Sequence, residues 1–224
     1  MKLKYLLITY LLLLFAVNTI GQDKEMFIEQ IANKNITRES FKRNGKLIGK
    51  QEFFSQGLKQ AGSDYFLNID TKIYDEGLRL KSTFTTQYRC KPGEANVLLS
   101  VFTVNPKKQK ITVSVNSGDF KKLYDLNAYQ MMSNLSLTMY VESGILNFLG
   151  SKNKVEITNR KLTKDNNYWK VTEKINIKAY LLGIRIKTIS YYVTEYLTVS
   201  GQLEKQIFKE DGGDYFTITY KENS

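Results

Sequence analysis

The sequence predicts a mainly β protein: a strongly curved antiparallel sheet or incomplete barrel, arranged as a meander, with one or two short helices. Apolar and polar residues alternate in most segments, and this period of two is typical of strands with one buried face. Hairpin-type turn residues separate the alternating runs. The parity of the alternation also slips in one late run, which predicts a bulge of the kind that bends a strand.

The N-terminal segment is set apart from this fold by its own pattern. Lys2 and Lys4 precede an apolar run over residues 5–17, and small and polar residues follow up to Gln22. That is the three-part layout of a secretory signal, and the run is shorter than the roughly 20 apolar residues that span a membrane. We therefore expect residues 1–21 to be a cleaved signal peptide and residues 22–224 to form a single antiparallel β domain with no transmembrane segment.

Four alternating runs are the clearest predicted strands. In each run the apolar side chains share one parity and the polar side chains the other, so that each strand has one buried and one wet face. The apolar members of the runs, in chain order, are Leu67, Ile69 and Ile73; Leu78, Leu80, Phe84 and Tyr88; Ile111, Val113 and Val115; and Phe216, Ile218 and Tyr220.

Turn residues of the hairpin type stand between the runs. The pair Asn44-Gly45 is the clearest of them, and Ser200-Gly201 and the segment 211–214 are two more. Such turns join neighbouring antiparallel strands through short loops. We therefore expect the three runs from about residue 184 to the C-terminus to form a meander.

The bulge is predicted within the first of these three runs. Its apolar residues change parity between Ile186 and Ile189. An extra residue in one strand produces such a change and increases the local bend and twist. The sheet is therefore expected to curve around an interior.

Helix is the minority prediction. The segment from Asp23 to Asn33 gathers Phe27, Ile28 and Ile31 on one side. A second candidate runs from Asp119, placed as an N-cap, to Leu135, with apolar residues at helical spacing. The β-rich stretch after Ser136 competes for the end of this second helix.

The charge is strongly basic, +11 for the chain, and loss of Lys2 and Lys4 with the signal lowers it to about +9. In an exported protein this favours anionic surfaces such as lipid head groups, acidic glycans and the cell surface over nucleic acid. Lysines that are scattered over most segments are also what an ordinary solvated surface shows. The charge therefore indicates an anionic envelope surface as a partner, with a plain solvated face as the alternative.

Composition excludes most catalytic and metal chemistry. The chain has no histidine and a single cysteine, Cys90, which rules out a Ser-His-Asp triad, a Cys-His pair, a His- or Cys-rich zinc site and an intramolecular disulfide. Cys90 itself suits a buried small hydrophobe or a reactive thiol. Carboxylate-pair hydrolysis is open to Asp64, Asp70, Asp75, Glu76 and Glu173, but their spacing does not favour it. We expect no enzymatic activity, catalytic residue, metal or cofactor.

Aromatic and methionine side chains offer another route to function, because a curved sheet with an open interior can hold an apolar ligand. The same side chains also suit a solidly packed core. Met131 and Met132 are the most suggestive pair, since flexible thioethers fit an adaptable pocket. The candidate ligand-binding residues are Phe84, Tyr88, Phe102, Met131, Met132, Met139, Phe148 and Trp169.

Several short stretches carry a resemblance to a known group. They are residues 88–93 (YRCKPG), 158–162 (TNRKL) and 195–203 (EYLTVSGQL), preceded by the strand-turn-strand pattern of residues 41–49. Their order resembles uncharacterised exported proteins of Bacteroidetes-type bacteria, which are similar to the lipoprotein-localisation-factor-like families. The resemblance covers about residues 36–221 and implies a curved antiparallel sheet, or incomplete barrel, around one or two helices.

That resemblance also implies a function: holding a lipid or a lipidated protein in the hollow of the sheet, in the periplasm or at the cell surface. It implies no catalytic residues. The group often has a Pro-Ala-Gly-Thr-like turn between late strands, whereas residues 176–183 contain no proline.

Two hypotheses follow. In the first, a periplasmic carrier or sensor binds an acyl chain inside the sheet while basic rim residues pair with an anionic head group; an enclosed cavity of about 300 Å³ or more would favour it. In the second, a structural or adhesive envelope protein has a packed interior and binds a protein or glycan partner through a basic, tyrosine-rich outer face.

Overall fold

The computed structural model describes residues 31–90, 110–112, 134–141, 151–165, 167–181 and 184–222. These residues form twelve strands of one mostly antiparallel, unclosed sheet, which confirms the predicted fold class. The strands are β1 (Lys34–Phe41), β2 (Leu47–Ser55), β3 (Lys59–Ala61), β4 (Asp64–Tyr74), β5 (Leu80–Cys90), β6 (Lys110–Thr112), β7 (Leu135–Val141), β8 (Ser151–Asp165), β9 (Tyr168–Leu181), β10 (Ile184–Leu197), β11 (Leu203–Glu210) and β12 (Tyr215–Glu222).

The spatial order of the strands is β6-β5-β4-β2-β1-β12-β11-β10-β9-β8-β7, and β3 pairs with β4 beside the end of β2. Neighbouring strands are antiparallel except β5 and β6, which are parallel. The first strand pairs with the last, β1 with β12, in the middle of the sheet. Two runs of sequential strands therefore meet there.

The three predicted hairpin turns are confirmed. Gly45 joins β1 to β2, Gly201 joins β10 to β11, and Gly213 joins β11 to β12. Their φ angles are 82°, 87° and 92°, in the left-handed region that glycine adopts without steric cost. The meander β10-β11-β12 follows directly from these turns.

The predicted bulge in β10 is also confirmed, because its register against β9 shifts between Arg185 and Lys187. A second shift, which was not predicted, lies in β8 between Thr158 and Lys161. Asn159 has a φ of 54° there. This bulge leaves Arg160 on the buried side of the sheet.

The core covers one face of the sheet, which we call the inner face; the opposite face is the outer face. On β12 the buried residues are Phe216, Ile218 and Tyr220, as the alternation predicted. The rings of Phe208 and Phe216 stack with centroids 4.6 Å apart, and Tyr191 meets both rings edge-on at 5.8 and 5.5 Å. Such aromatic pairs add to the free energy gained by burial alone.

The two predicted helices lie mostly outside the described residues. Of the first, Ile31 is helical and Ala32 and Asn33 form a turn. Of the second, Leu135 is described and begins β7, so the predicted end of that helix is wrong: the β-rich stretch begins two residues earlier than expected. Within the described ranges, no helix is long and apolar enough to cross a membrane.

Candidate functional site

A row of polar side chains crosses the apolar inner face. Strand register places Gln51 of β2 opposite Arg38 of β1, and Gln206 of β11 opposite Glu195 of β10, with Ile218 of β12 between the two pairs. Each polar residue occupies an inward position of its strand. We call Gln51, Arg38, Gln206 and Glu195 the inner polar row.

One half of this row is a hydrogen-bonded chain. The Tyr220 hydroxyl donates to Oε1 of Gln206 at 2.6 Å, and Nε2 of Gln206 donates to Oε1 of Glu195 at 2.5 Å. All three side chains are buried. Buried polar groups normally have such partners, because desolvation without a hydrogen bond is costly. These two hydrogen bonds link Tyr220, Gln206 and Glu195 across β12, β11 and β10.

The other half of the row, Arg38 and Gln51, has different contacts. The guanidinium carbon of Arg38 lies 3.9 Å from the centroid of the Phe216 ring. Among the described residues Arg38 forms no ion pair, its Nε is a buried atom without a hydrogen-bond partner, and Oε1 of Gln51 is another. Burial lowers the pKa of Arg38 below its usual value, while the hydroxyl of Tyr191 and the carboxylate of Glu210 act in the opposite direction.

The cation-π contact compensates only part of this cost, since a ring quadrupole contributes about 1 to 2 kcal/mol to a desolvated cation. A buried donor without an acceptor costs a similar amount, and more when it is charged. The amide of Gln51 can present either its oxygen or its NH2 group to the same space. One donor of Arg38 and one amide oxygen of Gln51 are therefore left without hydrogen-bond partners on neighbouring strands of the inner face.

A second arginine, Arg160, lies on the inner face and is fully buried. Nε of Arg160 donates to Oε2 of Glu173 at 2.9 Å, and the two side chains are 0% and 1% exposed. Burial raises the pKa of Glu173, and the neighbouring Arg160 opposes that rise. The charge of Arg160 is thus balanced by a residue of the chain itself.

The candidate ligand-binding residues are not gathered by the described structure into one place. Phe84 is half-buried opposite the buried Thr71, and Trp169 is half-buried opposite Leu197, against the core. Their strands, β5 and β9, are separated by six strands in the sheet order. Two further candidates are placed by register alone: Tyr88 pairs with Leu67, and Met139 pairs with Asn153. Phe102, Met131, Met132 and Phe148 lie outside the described residues.

The candidate carboxylates have separate partners. Asp70 accepts from the Thr85 hydroxyl at 2.6 Å, Glu76 pairs with Lys46 at 2.8 Å, and Glu173 pairs with Arg160. Asp75 accepts from the backbone amides of Gly77 and Arg79 in the turn after β4. The part of the chain that the structure describes holds no group of three or more side chains suited to a metal ion.

A groove of about 530 Å³ lies away from the inner polar row, at the turns that follow β8 and β10. Exposed Tyr168 and Val199 line it together with Glu204. It is an open surface groove between turns and differs from the enclosed cavity that would favour the carrier hypothesis.

Sequence reasoning missed the inner polar row. The available signal was a polar residue at the parity of apolar neighbours: Arg38 two positions after Ile36, and Glu195 between Val193 and Leu197. In a chain this rich in charged residues, that pattern is easily taken for the wet face of a strand.

No protein-family model matches the chain, and no curated protein sequence matches it. Two solved structures are similar in fold. One, from Bacteroides fragilis and described as an exported protein with a YmcC-like fold, has 12% identity and a TM-score of 0.43, covering 84% of this chain and 94% of that one. The other, from Parabacteroides distasonis and described as a lipoprotein, has 13% identity and a TM-score of 0.47, covering 88% and 97%.

Proposed function

We propose that this chain is a non-enzymatic exported protein of the cell envelope that binds a lipid, or another amphiphile with an anionic head group, on its inner face. The observation that carries the proposal is Arg38, a half-buried arginine whose buried Nε lacks a hydrogen-bond partner beside the buried, unpartnered Oε1 of Gln51. Arg38 receives the head group. The apolar side chains around it contact the hydrocarbon.

The energetic reason is the cost of leaving this site empty. A buried cation that lacks a counter-ion is costly, whereas a carboxylate or phosphate forms charge-assisted, commonly bidentate hydrogen bonds with arginine. The Phe216 ring already holds the guanidinium plane in position, so that little side-chain entropy is lost on binding. Binding of an anionic head group would therefore stabilise the protein, because Arg38 then forms hydrogen bonds that it lacks in the ligand-free chain.

The apolar surroundings fit the other half of an amphiphile. Ile36 and Ile218 lie beside Arg38 on the inner face, and both are buried. A methylene group transferred from water to such a surface contributes about 0.8 kcal/mol. An acyl chain therefore suits this face better than a small polar anion does.

The first experiment expresses the full chain with its own N-terminal segment in a bacterial host and purifies it from the envelope fraction. Native mass spectrometry, followed by organic extraction and lipid analysis, identifies what is bound. We expect a stoichiometric adduct of lipid mass that extraction removes. A ligand-free mass across several gentle preparations would rule out tight lipid binding.

Paired variants connect the adduct to the site. Arg38→Met removes the guanidinium but keeps an apolar side chain of similar length, and we expect it to abolish the adduct. Arg185→Met removes the same charge from an exposed position of β10 and serves as the matched control, with the adduct retained. Equal loss in both variants would indicate that overall charge, not Arg38, governs binding.

A further inference from the structure

The outer face carries an alternation of lysine and tyrosine that the inner-face function does not use. On three neighbouring strands, register places each of two tyrosines of β10 between a lysine of β9 and a lysine of β11. We call these six residues the outer Lys-Tyr face: Lys174, Tyr192 and Lys209 in one row, and Lys170, Tyr196 and Lys205 in the other.

The side chains of the first row are available to a partner. Tyr192 is 52% exposed, and the ammonium of Lys174 lies 5.1 Å from the centroid of its ring. The row continues into β12 at Tyr215, whose ring stacks on Phe41 of β1 with centroids 4.9 Å apart. Rings and ammonium groups thus follow one another across five strands.

The charge of this face is uncompensated, unlike that of other lysines. Thr172, Thr194 and Ile207 occupy the row between the two Lys-Tyr rows, so β9 to β11 present no acidic side chain there. None of the four lysines forms an ion pair with another described residue. Elsewhere on the sheet lysines do have such partners, as Lys50 has Glu52 and Lys178 has Glu156, both at 2.8 Å. An ordinary solvated surface mixes both signs of charge, as those regions do.

The spacing of the face favours one kind of polyanion. Strands lie about 4.8 Å apart, so the lysines of one row recur about every 10 Å with a ring between them. A polysaccharide that carries a carboxylate on alternate sugars repeats charge and neutral ring in the same way. Duplex DNA carries one charge per about 1.7 Å of its axis, and arginine rather than lysine is favoured for bidentate contacts with phosphate.

We propose that the outer Lys-Tyr face binds an acidic polysaccharide whose carboxylates recur on alternate sugars. The ammonium groups of Lys174 and Lys209 pair with successive carboxylates, and the exposed ring of Tyr192 packs against the apolar side of the neutral sugar between them. Lys170, Tyr196 and Lys205 repeat the arrangement, so a second chain or a second segment can bind in parallel. This surface is independent of the inner-face ligand.

The test uses size-defined hyaluronan oligosaccharides, in which glucuronate and a neutral sugar alternate, and follows binding to the full chain by isothermal titration calorimetry. We expect Tyr192→Ala to weaken binding about tenfold, the loss of one ring contact. The double variant Lys174→Gln/Lys209→Gln should weaken it at least as much, and most strongly at low salt, since exposed charges are screened.

A charge-matched control completes the design. The double variant Lys46→Gln/Lys81→Gln removes the same charge from lysines that are paired with Glu76 and Asp75, and binding should stay unchanged. Equal weakening in this control would overturn the proposal, as would full affinity in Tyr192→Ala. Stronger binding of an oligodeoxynucleotide, polyglutamate or anionic vesicles than of hyaluronan would overturn it in favour of that class of partner.

Discussion

Two arginines lie on the inner face of this sheet, and they differ in burial and in partners: Arg160 is fully buried, whereas Arg38 is half-buried. Arg160 has its carboxylate, Glu173, at 2.9 Å, and both side chains are excluded from water. Arg38 lies over the Phe216 ring, and its buried Nε has no partner among the described residues. One cation is neutralised within the fold, whereas the other is held in position without a counter-ion.

This difference distinguishes an arginine that stabilises the fold, Arg160, from one that is proposed to bind a ligand, Arg38. Breaking a buried ion pair is strongly destabilising, because the remaining charge is left in a medium of low polarity. A half-buried cation without an ion pair already bears part of that cost in the native state, and replacing it by an apolar side chain removes that part. Opposite effects on the free energy of unfolding therefore distinguish the two roles.

The largest effect is expected at the pair Arg160–Glu173. Glu173→Leu leaves the guanidinium of Arg160 buried without its carboxylate, and we expect the free energy of unfolding in urea to fall by about 3 to 5 kcal/mol. The double variant Arg160→Met/Glu173→Leu should recover most of this loss, because no buried charge remains. A single variant that costs less than about 1 kcal/mol would contradict a structural role.

At Arg38 the expectation is reversed. Arg38→Met in ligand-free protein should leave the free energy of unfolding unchanged or raise it by about 1 kcal/mol, since a desolvated cation is replaced by an apolar side chain. Urea unfolding of both proteins after lipid extraction measures this difference. A loss as large as that at Arg160 would remove the contrast on which the proposed function depends.

The half-buried carboxylate of Asp75 provides a third case, stabilised by backbone donors. The amide of Arg79 is the largest cause that lowers the pKa of Asp75 from 3.8 to about 2, and Lys81 adds to it. Because the pKa is lower in the folded state, this contribution is fully present above pH 3.8 and is lost as the pH falls towards 2. The difference in Tm between wild type and Asp75→Asn should therefore shrink over that range, and a constant difference would contradict this assignment.

The smallest effect is expected at a partly exposed pair, Lys178 with Glu156. Nζ of Lys178 lies 2.8 Å from one carboxylate oxygen, and each side chain is 27% exposed. Pairs in contact with water contribute about 0.2 to 1 kcal/mol. Lys178→Gln should lower the free energy of unfolding by no more than that, and high salt should reduce the difference. A cost comparable to that of Glu173→Leu would show that exposure does not separate the two pairs.

Local chemistry explains which parts of the fold were predictable. Gly45, Gly201 and Gly213 mark their turns because only left-handed backbone closes them, and the parity change before Ile189 marks its bulge. The pairing of β1 with β12 joins residues at opposite ends of the chain, and no local pattern predicts such a pairing. The bulge at Asn159 also has a local signal that sequence reasoning missed, since the buried apolar residues change parity between Ile157 and Leu162.

The candidate site was less predictable than the fold for a related reason. The candidate ligand-binding residues were predicted from their type, because they are aromatic or methionine. The residues of the inner polar row are instead distinguished by their position in the sheet. Arg38 is one of 33 basic residues, and it differs from the others only because the pairing of β1 with β2 and β12 places it on the inner face. That it forms no ion pair with a described residue is a property of the assembled sheet, which composition and spacing do not report.

The most direct test of the central claim compares two ligands on two proteins. Laurate and lauryl alcohol share an alkyl chain and differ in head-group charge, and their affinities are measured by calorimetry with lipid-extracted wild type and Arg38→Met. We predict that wild type binds laurate about tenfold or more tightly than the alcohol, in line with a charge-assisted hydrogen bond, and that the variant shows no preference. A preference that survives in Arg38→Met, or its absence in wild type, would contradict the account.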